Sequence, residues 1–415
     1  MKRLFAFMLA VVMLLSLAAC GKEENFPTSP NATAPSNATK PSGSTEPTGT
    51  EPPKDPSKLA ELYWRDSYTA EDADVAADHD AIIATLGDAE LTNGTLQIYY
   101  WMAVYNFLSS YGNYAALYGL DYTKPLDQQD YMDSDGSWQH YFLASGLDNW
   151  RYYQALSLMA DETQTPMDPA MQETLDGLYE ELDKQAQQSK FDSADAMLQA
   201  DAGAGCTAQD YYRYTELCYK GISYLDKMVK EISVTDDMIE DYFTKNQETL
   251  KKEGITKDSG DVCSVRHILI QVNDKKTDED WSNCHLAAQK LLNEWLSGEA
   301  TEETFAAFAK EHSTDGGSKS KGGLYEGLNE DTNFVPEFKE WYLDESRKAG
   351  DYGLVKTSYG YHIMYFSGAE AQWTYHCREA LTEEMTAQIV KDAMDKHSLT
   401  VEYEKILLGE VDLSA

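Results

Sequence analysis

Val265-Arg266-His267-Ile268-Leu269-Ile270 and Tyr359-Gly360-Tyr361-His362-Ile363-Met364 are the stretches that decide how this chain folds. Each sets one histidine inside a run of β-branched, aliphatic and aromatic residues, the composition of a strand that buries at least one face. Strand alternation puts His267 on a face with Val265 and Leu269, and His362 on a face with Met364 and Phe366. Around them the pattern alternates strand and helix over residues 262–368. A strand is predicted at 264–272, helices at 278–297 and 301–312, a short helix around Phe338-Lys339-Glu340-Trp341-Tyr342, and strands at 353–357 and 361–367. Between the two histidine strands lie His312-Ser313-Thr314-Asp315, Gly322-Gly323 and Phe334-Val335-Pro336-Glu337-Phe338.

The rest of the 415 residues leaves room for two or three domains. Lys2 and Arg3 precede a short apolar run, Leu4 to Ala19, which ends in Leu17-Ala18-Ala19-Cys20. The run is short for a membrane span, and its flanks fit a cleaved signal. Small residues before a cysteine resemble the lipobox of bacterial lipoproteins. That resemblance implies a signal peptide over 1–19 and a lipid on Cys20. Residues 20–58 are dense in Pro, Ser, Thr, Gly and Asn and hold almost no large apolar side chains, so they are expected to form a disordered tether. As a coil the tether would reach ~35 Å, and fully extended ~120 Å. The formal net charge is −37, and −39 once Lys2 and Arg3 leave with the signal. Such a surface is repelled by nucleic acid and by anionic headgroups, so no nucleic-acid partner is expected. With Cys20 lipidated, Cys206, Cys218, Cys263, Cys284 and Cys377 remain, an odd and irregularly spaced set that implies no dense disulfide framework and no zinc site.

From 59 to 258 the pattern is mainly helical. Ile82-Ile83-Ala84-Thr85-Leu86, Gly87-Asp88 and Ala89-Glu90-Leu91 read as a hairpin, with Thr92 as cap of a helix burying Leu96, Tyr99, Tyr100, Ala103 and Phe107. Further helices are predicted near 136–160, 168–188 and 207–232, and one starting at Val234-Thr235-Asp236-Asp237-Met238-Ile239. The many tyrosines fit a half-polar helical core or an aromatic groove for unfolded chains, and the sequence leaves both open. A last helix at 378–396 and a strand at Leu399-Thr400-Val401-Glu402-Tyr403 follow. The hairpin-then-helix opening is similar to the helical chaperone domains of SurA-type and PrsA-type foldases. Asp121 to Gly136 matches nothing in them. In those foldases the tail, here 369–415, packs back on the chaperone domain.

The ordered motif set of the 259–368 block resembles the parvulin family of peptidyl-prolyl cis-trans isomerases. The fold class implied is α+β: a parvulin, FKBP-like domain with a small antiparallel sheet flanked by helices, inserted in a mainly helical chaperone domain. The resemblance implies neighbouring histidine strands, rotation about X–Pro bonds, and no cofactor or metal. The X–Pro barrier comes from the partial double bond of the amide, so an enzyme needs only to favour the twisted amide over the planar forms. A dry apolar slot does this, because the twisted amide has lost the dipole that water stabilises. Phe334, Phe338 and Met364 are the expected slot residues. His267, Asp315 and His362 are the expected polar groups, with Thr357 tying the histidine network together. Two departures stand out: Leu324-Tyr325-Glu326-Gly327 where parvulins follow the double glycine with Asp-Leu-Gly, and Phe334 where they usually carry Met. Lys275-Lys276 sit among acids, against phospho-Ser/Thr selectivity.

The reading is a lipid-anchored extracytoplasmic foldase on the outer face of a bacterial membrane. Its partners would be unfolded or secreted proteins with X–Pro bonds, and a homodimer is left open. The alternative is a chaperone or binding lipoprotein with a weak or inactive parvulin domain. A solute-binding lipoprotein lacks the two-lobed α/β pattern it would need.

Overall fold

In the computed structural model, residues 65–132, 135–273, 275–411 and 413 are described. The expected signal, lipidated Cys20 and tether lie outside them. The chain divides into two compact units, one made of the residues up to Ile232 and from Met385 onward, the other of Ser233–Glu384.

In the first unit α1 (Asp72–Ala77) precedes the hairpin of β1 (Ile82–Leu86) and β2 (Ala89–Thr92). Gly87 opens its two-residue turn at φ +60°, a conformation glycine adopts without strain. The Thr92 hydroxyl accepts the Thr95 N–H and starts α2 (Asn93–Tyr111). α3 (Trp138–Glu162), α4 (Pro169–Asp176), α5 (Leu178–Gln188), α6 (Ala194–Ala202) and α7 (Ala208–Glu231) follow. The single helix expected over 168–188 is two, broken at Gly177, and α6 was not foreseen. α2 is buried on nearly every side from Asn93 to Tyr105, not along one stripe, because α3, α7 and the chain end all pack on it. Tyr68, Tyr99, Tyr100, Tyr211 and Tyr214 lie in its core.

The second unit opens with α8 (Asp236–Lys252), capped by Thr235. It continues with β3 (Asp261–Gln271), α9 (Asp278–Leu296), α10 (Glu302–His312), β4 (Leu324–Leu328), α11 (Pro336–Tyr342), β5 (Tyr352–Thr357) and β6 (Gly360–Ala371). α12 (Gln372–Lys396) starts in this unit and ends in the first, where β7 (Leu399–Val401) pairs antiparallel with β1. The second unit begins before the expected boundary at 258/259. Ile239, Phe243, Leu250 and Ile255 of α8 and its exit bury against Cys377 and Trp373 of α12, and α8 and the first part of α12 fall in the same compact unit as the sheet.

That sheet is antiparallel in the order β4-β3-β6-β5. The histidine strands are its central pair, with His267 opposite Met364 and Leu269 opposite His362. One face carries Ile268 and Ile363 against Ala288, Leu291, Leu292, Trp295, Phe305 and Ala309 of α9 and α10. The other carries Val265, Met364 and Phe366 against Phe338, Trp341 and Tyr342 of α11. Period-two alternation therefore sends both histidines to the α11 side. β4, read in the sequence as an altered loop, is the fourth strand, with Tyr325 opposite Val265 and Leu328 opposite Cys263. All five described cysteines are free.

Candidate active site

The register brings His267 and His362 together diagonally across β3 and β6. Their Nδ1 atoms are 3.0 Å apart, with the rings stacked at 5.2 Å between centroids. His362 Nε2 lies 2.8 Å from the hydroxyl of Thr357, which accepts the Tyr359 N–H at 3.2 Å. His267 Nε2 lies 2.9 Å from Asp315 Oδ2 and 3.0 Å from the Ser318 hydroxyl. The result is one chain of contacts, Thr357–His362–His267–Asp315. Burial pushes His362 down to about 3, and the neighbouring His267 pushes the same way, so His362 is a neutral imidazole at ordinary pH. At the Nδ1–Nδ1 contact one ring donates and the other accepts.

Asp315 sits where the loop after α10 turns. Burial would raise its carboxyl, but the bond and charge of His267, then Ser318 and Tyr325, override this and hold it well below the usual carboxylate range. Its Oδ2 accepts from the Ser318 hydroxyl (2.5 Å), the Ser318 N–H (3.1 Å) and the Tyr325 hydroxyl (3.1 Å), besides facing His267. With 22 % of its side chain exposed, it is the accessible charged end of an otherwise buried network.

The aromatic residues pack on the same network. Phe338 presents its ring edge-on to His267 (5.2 Å) and His362 (5.3 Å), and Phe334 stacks on Phe338 at 4.8 Å. Tyr325 meets Phe334 at 5.0 Å and tilts over His267 at 5.4 Å. Met364 and Phe338 are fully buried, so they form the floor and the core beneath it, whereas Phe334 and Tyr325 keep accessible surface. Met364, expected as a slot wall, lies under the slot. His312 pairs with Glu311 and packs on Phe308, outside the network.

Sequence reasoning missed Ser318 and Tyr325. Ser318 had a signal: a serine three residues after an aspartate can close a turn on its carboxylate. Tyr325 was visible only as a departure in the stretch after Gly323. Its contribution is testable. Tyr325→Phe keeps the ring and removes one donor to Asp315. The Asp315 carboxyl titration, followed by NMR, is expected to move upward, with a stability loss of about 1.5 kcal/mol for a bond to a charged group. An unmoved titration would mean that the hydroxyl does not hold the carboxylate.

Residues 248–368 match the PPIC-type PPIase domain model. This block belongs to the parvulin family. The central pairing of its two histidine strands is what the family resemblance implied. The foldase protein PrsA of Caldanaerobacter subterraneus subsp. tengcongensis is 35 % identical over 147 residues, 35 % of this chain and 38 % of that protein. The foldase protein PrsA of Latilactobacillus sakei is 30 % identical over 148 residues, 34 % of this chain and 43 % of that protein. The chain thus spans less than half the length of these curated relatives. Among solved structures, PrsA from Bacillus subtilis covers 63 % of this chain and 89 % of its own at 24 % identity, with a TM-score of 0.27. Tyr325 and Phe334, both at positions where the sequence departs from the parvulin motifs, keep accessible surface beside the histidine network.

Proposed function

We propose that the chain is a lipid-anchored extracytoplasmic foldase, whose parvulin domain isomerises X–Pro bonds of unfolded or secreted proteins while its helical unit holds them. The observation that carries this is the aromatic slot of Phe334, Tyr325 and Phe338 laid directly over the Thr357–His362–His267–Asp315 chain. The slot takes the prolyl ring out of water. The ionised Asp315 at its edge disfavours the planar amide, whose carbonyl oxygen carries partial negative charge, more than the twisted amide, which has lost that polarisation. The buried histidines, Thr357 and Ser318 hold Asp315 in place. No covalent bond forms and no cofactor takes part.

The test is a protease-coupled proline assay on the mature chain, with the His267→Ala, Asp315→Ala, Phe338→Ala triple variant as comparison and circular dichroism to confirm folding. Wild-type rates from a folded triple variant would dismiss this site. The filled slot also favours a second reading, since Phe334 stacked on Phe338 narrows the space for proline. On that reading the parvulin domain binds but does not turn over, and the chain suppresses aggregation without accelerating proline exchange. Anchoring rests on Leu17-Ala18-Ala19-Cys20. Cys20→Ser is expected to abolish incorporation of a labelled fatty acid and to release the protein from membranes. No helix among the described residues is long and apolar enough to cross a membrane.

A further inference from the structure

The connection between α2 and α3 has no part in the isomerase site, and its stretch from Asp121 to Gly136 matched no family pattern. It is nonetheless built as a folded element. Leu120 and Leu126 are buried in the core. Gln129 ties the loop, accepting the Asp121 N–H at 2.8 Å and donating to the carbonyls of Asp121, Lys124 and Pro125 at 3.0 Å. Asp130 and Ser137 bridge, with the Tyr131 N–H donating to Gly136 O at 2.7 Å, and Met132 stands on this hairpin at φ +47°.

Among the residues this element turns outward are four large apolar ones. Leu117 is 82 % exposed, Met132 49 %, Tyr122 45 % and Tyr118 38 %. Tyr118 belongs to a run of touching rings, and Met132 follows one of its members in the chain: Tyr118 meets Tyr111 (5.6 Å) and Phe107 (6.1 Å), Phe107 meets Tyr141 (6.2 Å), and Tyr131 stacks on Tyr141 at 4.4 Å. Exposed apolar groups gathered on an ordered base mark an interaction surface. Its charge is one-sided. Lys124 is matched with Asp121 at 3.0 Å, and among the described residues Asp127, Asp130 and Asp135 have no ion pair. Asp127 Oδ1 is buried with no hydrogen-bond partner among the described residues.

We propose that this connection is a docking surface for an unfolded polypeptide segment that mixes basic side chains with aromatic or aliphatic ones. This rests on the holding role proposed above and names where the client sits and what it carries. Apolar side chains of the client would cover Leu117, Tyr118, Tyr122 and Met132, while a lysine or arginine meets the aspartates. A second copy fits poorly, since it brings the same aspartates on a chain of net charge −37. The chain's own 20–58 stretch fits poorly too, since it offers almost no large apolar side chains.

The experiment measures fluorescence anisotropy of short labelled peptides on the mature chain: one basic and aromatic, one acidic with the same aromatics, one basic without aromatics. Wild type should bind the first about tenfold more tightly than either other, with the charge-dependent part weakening at raised salt. Leu117→Ser/Tyr118→Ser/Tyr122→Ser/Met132→Ser and Asp127→Asn/Asp130→Asn/Asp135→Asn should each lose about tenfold in affinity, with circular dichroism and proline-exchange rate unchanged. If wild type binds and both variants bind equally well, clients dock elsewhere and this surface is wrong while the holding role stands. If wild type binds none of the peptides, the holding role and the surface fail together. A concentration-dependent dimer in sedimentation that the serine variant abolishes would assign the surface to a second copy and overturn the proposal.

Discussion

Gly323→Ala is expected to cost the parvulin domain about 4 kcal/mol or more, lowering the melting temperature of the second unit by about 10 °C. Gly323 lies at φ +75°, a conformation that costs an L-residue roughly 1–2 kcal/mol. The larger part is steric. A Cβ there would stand 2.2 Å from the His267 carbonyl oxygen and 3.0 Å from both the His267 nitrogen and the Ala309 Cβ. Two of these atoms are backbone of the central strand β3, so no side chain can swing aside. Relief must come from parting β4 from β3, which breaks the bond from the His267 N–H to Gly323 O at 2.8 Å. Gly316 is the control, since a Cβ there meets nothing within 4 Å. Hydrogen exchange reads both: Gly323→Ala should unprotect the β3 and β4 amides, and Gly316→Ala should leave them near wild type. Equal protection in the two variants would mean that close approach is not why glycine stands at 323.

The same glycine shows where sequence reading reached and where it stopped. His267 and His362 were legible because a period of two fixes a side chain's face, and antiparallel pairing of two such strands brings the faces together. Thr357 was legible because it lies on the strand beside His362. The Leu324–Leu328 strand was not legible. Its pairing depends on the tight backbone approach that Gly322 and Gly323 permit, which no propensity encodes, and Gly327 interrupts its alternation. Tyr325 stayed hidden with it. That the second compact unit starts at Ser233 was not legible for a related reason. The Thr235 cap marks where α8 begins but says nothing of its partner, which is Cys377 and Trp373 more than a hundred residues on. Met364 keeps its expected face, but its full burial was not legible, because a buried floor and an accessible wall share one alternation pattern.

Asp315→Ala is expected to lower kcat/KM for an X–Pro peptide by about 100-fold, the scale at which one placed polar group contributes to a transition state. The substitution removes the accessible charge. It also strips His267 Nε2, the Ser318 hydroxyl and the Tyr325 hydroxyl of their common acceptor. Asp315→Asn separates the two effects, since an amide oxygen can still accept from Ser318 and Tyr325 but carries no charge. If charge next to the slot matters, Asn falls nearly as far as Ala; if Asp315 is only a brace, Asn stays near wild type. The pH dependence of stability gives a second readout. Asp315 is held below its unfolded value, so its contribution is present above ~4 and disappears as the pH falls through the folded value. The stability gap between wild type and Asp315→Asn should therefore close between about pH 4 and the acid limit of the measurement. His362 acts in the same direction over a higher range. Its folded value near 3 lies below the unfolded value of about 6.5, so the stability gained by burying it neutral drains away as the pH drops from ~6.5 towards 3. Acid unfolding of the second unit should thus begin at the histidine, well before Asp315 takes a proton, and a stability profile flat from pH 7 to 4 would contradict the buried, neutral His362 on which the site is built.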